Sequence, residues 1–395
     1  MQVRSEICII GDGVIGKTAA LAFAQAGLKV TLLRPAAAGP SASAADAWDV
    51  RVYALNHAAH ALLSPLKVWD ALDVSRVAPV DAMSVNGDAA GALAFDAYGA
   101  RVGTLAWIVE DANLNRALDA ALKFASNVRI VAGRASALQS KQDGVVVQLE
   151  NGDVLDADLL VGADGGQSWV RSHCDIGFDY RAYGQRAIVA NFSCEKPHRH
   201  VAHQWFTADE GIIALLPLPG ERVSLVWSAP DALATELLQQ TPASLAARLA
   251  AYALPELGNL TPLQPEAMKS FPLALVRPHA ITAPRVALIG DAAHVIHPLA
   301  GHGMNLGFAD IAALVEAVAG RDAYRDCGDA RVLSRYARSR KEEILLMQLA
   351  TDGLARLFTV DLEPLRMVRN LGLNLVNRLP VLKRRLIGHA LGKKL

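Results

Sequence analysis

The chain has 395 residues, 52% of them hydrophobic, with Lys+Arg and Asp+Glu balanced at 39 each. That length buries one large composite domain or two ordinary ones, and the zero formal charge excludes a molecule-wide field for nucleic acid, so any basic patch must be local. Cys8, Cys174, Cys194 and Cys327 lack C-x-x-C spacing, which fits neither a zinc site nor a disulfide framework; no signal-peptide pattern precedes the first strand and no apolar run has bilayer length, so the expectation is a cytoplasmic protein holding no metal and no nucleic acid.

Ile7–Ile10 reads as a short buried parallel strand, and the octet GDGVIGKT from Gly11 to Thr18 follows it. This octet satisfies both the G-x-x-x-x-G-K-[ST] of a P-loop and the G-x-G-x-x-G of a dinucleotide turn. A helical apolar pattern from Lys17 to Ala26 stops at Gly27, and Val30–Leu33 is a second strand, which completes a βαβ unit. In a dinucleotide turn Gly11 makes the tight bend, Gly13 lets backbone approach pyrophosphate and Gly16 lets helix and strand pack closely; a P-loop needs no glycine at 13. The dinucleotide reading is therefore favoured, with Lys17 and Thr18 incidental to it. The second strand ends in Arg34 and Pro35 where an acid would hold a ribose. An arginine accepts no hydrogen bond, and stacking on adenine, facing a 2′-phosphate and simple solvation all remain open for it.

Further along, Asp158 to Arg171 reads DLLVGADGGQSWVR, and apolar and polar residues alternate from Ala187 to Trp227 between Asp-Glu-Gly and Pro-Gly turn signals, the pattern of a mostly antiparallel sheet. Arg186, His198, Arg199, His200 and His203 are expected on its solvated face. Pro284 to Asp310 then runs PRVALIGDAAHVIHPLAGHGMNLGFAD: a strand, a Gly-Asp pair, a proline, a glycine-rich loop and a helix from about Met304. Taken alone, Asp291 could be an ordinary helix N-cap. His294, His297 and His302 invite a metal reading, but their spacing crosses a proline and two glycines, so polar loop histidines are expected instead. From Pro364 to Leu395 there is no Asp or Glu, while Arg366, Arg369, Arg378, Lys383, Arg384, Arg385, Lys393 and Lys394 interleave with aliphatics. Two readings stand: a basic amphipathic surface for anionic lipid, or a helical hairpin broken near Pro380 that packs on the domain holding the dinucleotide turn and keeps its arginines in water.

Three blocks in order, G-x-G-x-x-G, D-x-x-x-G-A-D-G-x-x-S-x-V-R and G-D-A-A-H-x-x-x-P-x-x-G-x-G-x-N-x-G, resemble the class A FAD-dependent aromatic hydroxylases. The last is matched at Gly290, Asp291, Ala292, Ala293, His294, Pro298, Gly301, Gly303, Asn305 and Gly307. Arg51–Leu55, Tyr183–Ala190, Leu215–Leu218 and Phe271–Leu273 make the chain most similar to the flavin hydroxylases of ubiquinone biosynthesis.

The resemblance implies an α/β fold. A Rossmann-like FAD-binding domain of glutathione-reductase type (1–74, 105–175 and 275–345) would be interleaved with a mostly antiparallel β-sheet substrate domain (75–104 and 176–274) and followed by a basic C-terminal helical region (346–395). It implies FAD as cofactor, NAD(P)H as co-substrate, O2 and a polyprenylated phenol or benzoquinol as substrates, and oxygen transfer from a C4a-hydroperoxide. It also implies a place at the inner membrane surface or in a ubiquinone-biosynthesis complex, reached through the basic C-terminal region.

Carried over residue by residue, the cofactor site would comprise Gly11, Gly13, Gly16, Arg34, Arg51, Asp164, Gly165, Gly290, Asp291, Pro298, Gly301, Gly303, Met304 and Asn305. Asp291 would accept from ribityl hydroxyls, Arg51 meet a phosphate, Asp164 and Gly165 lie along the pyrophosphate, and Gly301–Asn305 line the pyrimidine edge. Pro298, Gly301 and His297 are the catalytic candidates, Pro298 shaping the loop beside the reacting face and His297 assisting substrate deprotonation. Phe206, Ile213, Leu215 and Trp227 are cavity-lining candidates or plain core. Against this stand a P-loop nucleotide hydrolase using Asp291 as its second acid, and a flavoprotein of the same fold acting as a reductase or assembly component.

Overall fold

The computed structural model describes residues 2–35, 47–298, 301–359 and 363–379, with 388 and 392. Five parallel strands form the first sheet, in spatial order Val286–Leu288, Val154–Gly162, Gln2–Ile10, Val30–Arg34 and Val128–Ala132. An antiparallel hairpin, Ala135–Ser140 with Val145–Leu149, extends it from Val154–Gly162. These strands are apolar on both faces because both faces are covered. Ile7, Ile9 and Leu32 meet the helices Val14–Gln25, Asp111–Leu122 and His302–Ala319, whereas Cys8, Ile10 and Leu33 meet the hairpin and Val170.

The second sheet runs Leu260–Pro262, Phe178–Cys194, Arg222–Pro230, Ile212–Leu218, Val201–Phe206, Ala82–Asn86 and Ala92–Asp96, with Lys269–Pro278 also paired to Phe178–Cys194. Its pairings are antiparallel except Val201–Phe206 on Ala82–Asn86. Val77–Val80 belongs elsewhere, in a three-stranded sheet with Val52–Leu55 and Ala106–Glu110.

Strand alternation divides the large sheet into two faces. Ile188, Ile213, Leu215 and Trp227 point to the helices Asp231–Gln239 and Pro242–Leu257 and form a closed core. Of the four residues read as cavity lining or plain core, Ile213, Leu215 and Trp227 are therefore core, and Phe206 lies on the opposite face, stacked on Phe358 at 4.2 Å. That opposite face meets the first domain: Leu216 and Leu218 pack with Val52, Ala54 and Ile108, and Asn191 Nδ2 donates to the Asp49 carbonyl at 3.0 Å. The expected solvated face holds for Arg199 and His200, which are exposed, and is corrected for two histidines. His198 and His203 are buried, His198 bonding the Leu218 and Gly220 carbonyls and His203 stacking on Trp205.

The C-terminal helices are Ala330–Thr359 and Glu363–Arg378. The second docks on the edge strand Ala92–Asp96, and Asp88 beside it receives Arg369, Arg366 and Asn370. Arg369 is buried, so two cations counted in the basic surface face inward. Lys383, Arg384, Arg385, Lys393 and Lys394, and the Arg378 side chain, lie outside the described residues. Among the described residues no helix is long and apolar enough to cross a membrane.

Candidate cofactor and substrate site

The strand Gln2–Ile10 delivers the chain into Gly11 at φ +118°, where a Cβ would lie 2.3 Å from the Ala163 carbonyl oxygen; a Cβ on Gly16 would lie 1.8 Å from that of Gly11. These two glycines let the helix Val14–Gln25 press against the turn and the strand beside it. Gly13 differs. A Cβ there would meet nothing within 4 Å, and Gly13 caps the helix without a side-chain hydrogen bond. The helix therefore presents free N–H groups to open space, the arrangement that receives a phosphate.

Lys17 and Thr18 are turned away from that space. Lys17 Nζ lies 2.7 Å from Asp119 Oδ1 and donates to Asn115 Oδ1 at 3.1 Å, and the Thr18 hydroxyl donates to the Val14 carbonyl at 2.7 Å. The lysine and hydroxyl that a P-loop directs at phosphate and Mg²⁺ are committed elsewhere, which removes the hydrolase reading. Lys17 is also not incidental, because it ties the first helix to Asp111–Leu122.

Two more strands end beside this turn. After Val154–Gly162, the Asp164 carboxylate accepts from the Ser168 hydroxyl at 2.5 Å and the Val170 amide at 3.0 Å. It thereby organises its own loop, and Gly165 is what faces open space there. After Val286–Leu288 comes the Gly290–Asp291 turn. A Cβ on Gly290 would be 3.1 Å from Ile15 and one on Gly307 2.7 Å from it, so Ile15 is the knob around which first helix, turn and His302–Ala319 assemble. Asp291 is exposed on one side yet hemmed by protein on the others; that crowding pushes its carboxyl up, an effect opposed by His294 and Arg51. Arg51 is exposed, with Tyr53 beneath its guanidinium at 5.7 Å.

A buried network holds the turn from behind. Asp310 accepts from the Gly290 amide at 2.9 Å, His294 Nε2 at 2.6 Å and Arg340 Nε at 2.8 Å, and none of the three side chains is accessible. Burial alone would push the Asp310 carboxyl up, but His294 and Arg340 outweigh it and hold the group below the usual range. Sequence reasoning missed this device. Asp310 closes the quoted block, but Arg340 lies a helix away with no spacing rule to signal it.

The helix His302–Ala319 starts at Gly301, left-handed at φ +67° and without a side-chain cap, and a Cβ on Gly303 would meet nothing within 4 Å. Asn305 Oδ1 accepts from the Asn56 amide at 3.0 Å and its Nδ2 donates to the Ala54 carbonyl at 2.8 Å, so its side chain fixes this helix to Val52–Leu55. Met304 packs half-buried against the first core. His294 and His297 are buried rather than polar loop residues, and they point to separate partners; the His302 side chain lies outside the described residues. Among the described residues no group of three His, Cys, Asp or Glu is placed for a metal.

His297 Nε2 donates to Gln185 Oε1 at 3.0 Å, its ring meets Tyr183 edge-on at 4.9 Å, and burial pushes its pKa down to about 4. Its Nδ1 and the Tyr183 hydroxyl are buried with no hydrogen-bond partner among the described residues. Pro298 follows directly, half-buried. Arg34 ends the next strand, exposed, its guanidinium making no hydrogen bond among the described residues. Gly11, Gly13, Gly16, Asp164, Gly165, Gly290 and Asp291 thus gather at the carboxyl ends of three adjacent parallel strands, where such sheets bind ligands. Gly301 and Asn305 join them through Ala54. Open space at Gly13, Gly165 and Gly303, two uncapped helix N-termini and an exposed arginine fit an extended dinucleotide with a flavin at one end.

Residues 106–347 match the family model described as FAD binding domain. The chain is 36% identical over 392 residues to 3-demethoxyubiquinol 3-hydroxylase of Escherichia coli (strain K12), covering 98% of each. It is 35% identical over 390 residues to ubiquinone hydroxylase UbiL of Rhodospirillum rubrum, covering 98% of this chain and 90% of that one. Among solved structures, PqsL, a probable FAD-dependent monooxygenase from Pseudomonas aeruginosa, superposes with TM-score 0.76 at 23% identity over 93% of this chain and 100% of that one. Klebsiella pneumoniae HpxO complexed with FAD and uric acid does so with TM-score 0.74 at 18% identity over 98% and 96%; both likenesses speak to fold. The uncapped glycine cradle and these full-length identities together place the chain in the class A FAD-dependent aromatic hydroxylase family, among the monooxygenases of ubiquinone biosynthesis.

Proposed function

We propose that this enzyme hydroxylates one ring carbon of a polyprenylated phenol or benzoquinol, with NAD(P)H as reductant: ring C–H, O2, NAD(P)H and a proton give ring C–OH, NAD(P)+ and water. FAD, once bound, supplies the activation of O2. Gly11, Gly13 and Gly165 would admit its pyrophosphate, with Arg51 as the nearby cation. Asp291 would accept from ribityl hydroxyls, and the N-terminus at Gly301–Gly303 would stabilise negative charge at the pyrimidine edge. Pro298 has no N–H and a fixed φ, which suits the wall beside the reacting ring.

The substrate ring is assigned to the space between that wall and the face of the large sheet that meets the first domain. On that face the cross-strand partners Ala187 and Ser228 are small side chains. At a pKa of about 4, His297 is a poor base near neutral pH. Its unpartnered Nδ1 suits accepting a hydrogen bond from a ring hydroxyl, so its role is orientation rather than proton removal. The division at 1–74, 105–175 and 275–345 against 75–104 and 176–274 goes with this placement, the flavin lying between the two parts. Because its substrate is a lipid, the protein is assigned to a membrane surface or a biosynthetic assembly on one.

The observation that carries the reading is the set of three open glycines beside uncapped helix N-termini. The test supplies each successive ubiquinone precursor with NAD(P)H and ¹⁸O2 and follows product mass. One precursor should gain a single labelled oxygen per NAD(P)H consumed. NAD(P)H oxidation that yields only hydrogen peroxide with every precursor overturns the hydroxylase in favour of a reductase of the same fold.

A further inference from the structure

Glu110 is 1% exposed and carries a charge that no step of the proposed chemistry uses. It ends the strand Ala106–Glu110, and both of its oxygens are engaged. Arg76 donates to Oε2 from Nε at 2.6 Å and to Oε1 from Nη2 at 2.8 Å, and the Asp49 amide donates to Oε1 at 2.6 Å. Arg76 Nη2 also donates to the Ala47 carbonyl at 2.8 Å, and its guanidinium lies over the Trp48 ring at 4.4 Å. The pair therefore grips Ala47, Trp48 and Asp49, just ahead of Arg51. A buried ion pair adds little net stability over apolar side chains of the same volume, so its consequence lies in what it holds in place.

Arg51 has to be placed through its backbone, because its guanidinium makes no hydrogen bond or ion pair among the described residues. Its amide donates to Asp49 Oδ1 at 3.0 Å, and its carbonyl accepts from the Asp111 amide at 2.9 Å. Asp49 is itself fully committed: its amide goes to Glu110, its carbonyl accepts from Asn191 Nδ2 at 3.0 Å, and Oδ2 accepts from the Ala112 amide at 3.2 Å. We propose that Glu110, paired with Arg76, is a positioning residue for the cofactor: acting through Asp49, it fixes the backbone of Arg51 so that the guanidinium stands at the FAD diphosphate. An arginine on an unheld segment would lose backbone as well as side-chain entropy on meeting a phosphate; held at both peptide groups, it loses only that of the side chain. The grip also reaches the large sheet, which supplies Asn191 and, over the Trp48 ring at 5.1 Å, Arg222. The proposal rests on the placement of Arg51 given under the proposed function, and its test needs no substrate.

FAD release from the full-length holoenzyme after dilution is followed by recovery of flavin fluorescence at low and high NaCl. The variants are Arg51→Ala, Asp49→Ala, Glu110→Leu/Arg76→Met, and Arg51→Ala combined with the last pair. Removing both members of the ion pair strands no charge, Asp49→Ala breaks the link while sparing the pair, and circular dichroism of each holoenzyme certifies the fold. Each of the first three should release FAD about tenfold faster, the worth of one charge-assisted hydrogen bond, and should lose the acceleration by salt seen in the wild type. The combined variant should release FAD no faster than Arg51→Ala alone. Wild-type release from Asp49→Ala and from the Glu110 pair, beside fast release from Arg51→Ala, overturns the positioning role and leaves the phosphate contact standing. Multiplied losses in the combined variant, or a salt response retained in the Glu110 pair, also overturn it, since both mark damage that bypasses Arg51. Wild-type release from Arg51→Ala overturns the phosphate contact and the proposal with it. The hydroxylase reading stands or falls separately, on labelled product mass.

Discussion

Asp310→Ala is the sharpest perturbation available outside the cofactor cleft. The carboxylate accepts three hydrogen bonds, two from basic side chains and one from the Gly290 amide, with no solvent to replace it. Removing it leaves Arg340 buried with the Leu306 carbonyl at 3.3 Å and the partly exposed Glu343 as its remaining partners. Breaking a buried ion pair from one side costs about 3–5 kcal/mol, a fifth or more of a stability of roughly 5–15 kcal/mol. Replacing both partners, as in Asp310→Leu/Arg340→Met, should recover most of that loss, because the stranded charge goes too. FAD affinity should fall in the single variant and stay low in the double one, since neither restores the acceptor for Gly290. Urea midpoints with and without FAD, and flavin titration, read the two effects separately. The sign in pH follows from the lowered carboxyl: its contribution is complete above the ordinary carboxylate range near pH 4 and is lost as pH falls through the lower folded value. Wild type should therefore lose more stability than Asp310→Ala below pH 4. An Asp310→Ala midpoint equal to wild type, or unchanged FAD affinity, would refute the reasoning.

Gly13→Val should fold with wild-type stability, because its Cβ meets nothing and its φ of −70° suits any residue. It should bind FAD at least about tenfold more weakly, since the added methyls occupy the pyrophosphate space, and native dichroism with lost flavin is the expected readout. Lys17→Ala should keep its flavin and lose only about 1 kcal/mol, the worth of a pair whose acid is half-exposed; loss of FAD would revive a phosphate role for the lysine. His297→Gln should flatten the pH dependence of stability. A histidine held neutral to about pH 4, against about 6.5 unfolded, contributes stability that is present above pH 6.5 and lost on acidification toward 4, at most about 3 kcal/mol. A variant whose stability falls as steeply as wild type over that window would show that the slope arises elsewhere.

What the sequence disclosed follows what each residue had to do alone. Gly11 and Gly16 are legible because a Cβ at either collides with backbone, a constraint that no neighbour's identity can relax. The strands of the first sheet are legible as continuous apolar runs because both faces are covered. Functions shared among distant residues were not. Asp310, His294 and Arg340 meet only after two helices and a turn have packed, and Asp164 and Asn305, which the family pattern points at the cofactor, spend their side chains on neighbouring backbone and a loop serine. Those bonds tie Asp164 to the loop that carries Gly165, and Asn305 to Ala54 beside Gly301. For Ile213, Leu215 and Trp227, strand alternation showed that one face was apolar, but both faces of this sheet are covered, and composition does not say which cover is a protein core and which a ligand.

The C-terminal helix shows why composition misjudged that region. Read as a list, its arginines were candidates for water or for anionic lipid. The strand Ala92–Asp96 reverses that choice, because as the last strand of its sheet it needs acceptors for its outward amides. Asparagines at 370, 374 and 377 supply them at one-turn spacing, and Arg369 follows them inward because Asp88 lies beside the same edge. Once the polar side of an amphipathic helix is committed to a sheet edge, the apolar side must face out. The exposed leucines then follow from satisfying three backbone amides.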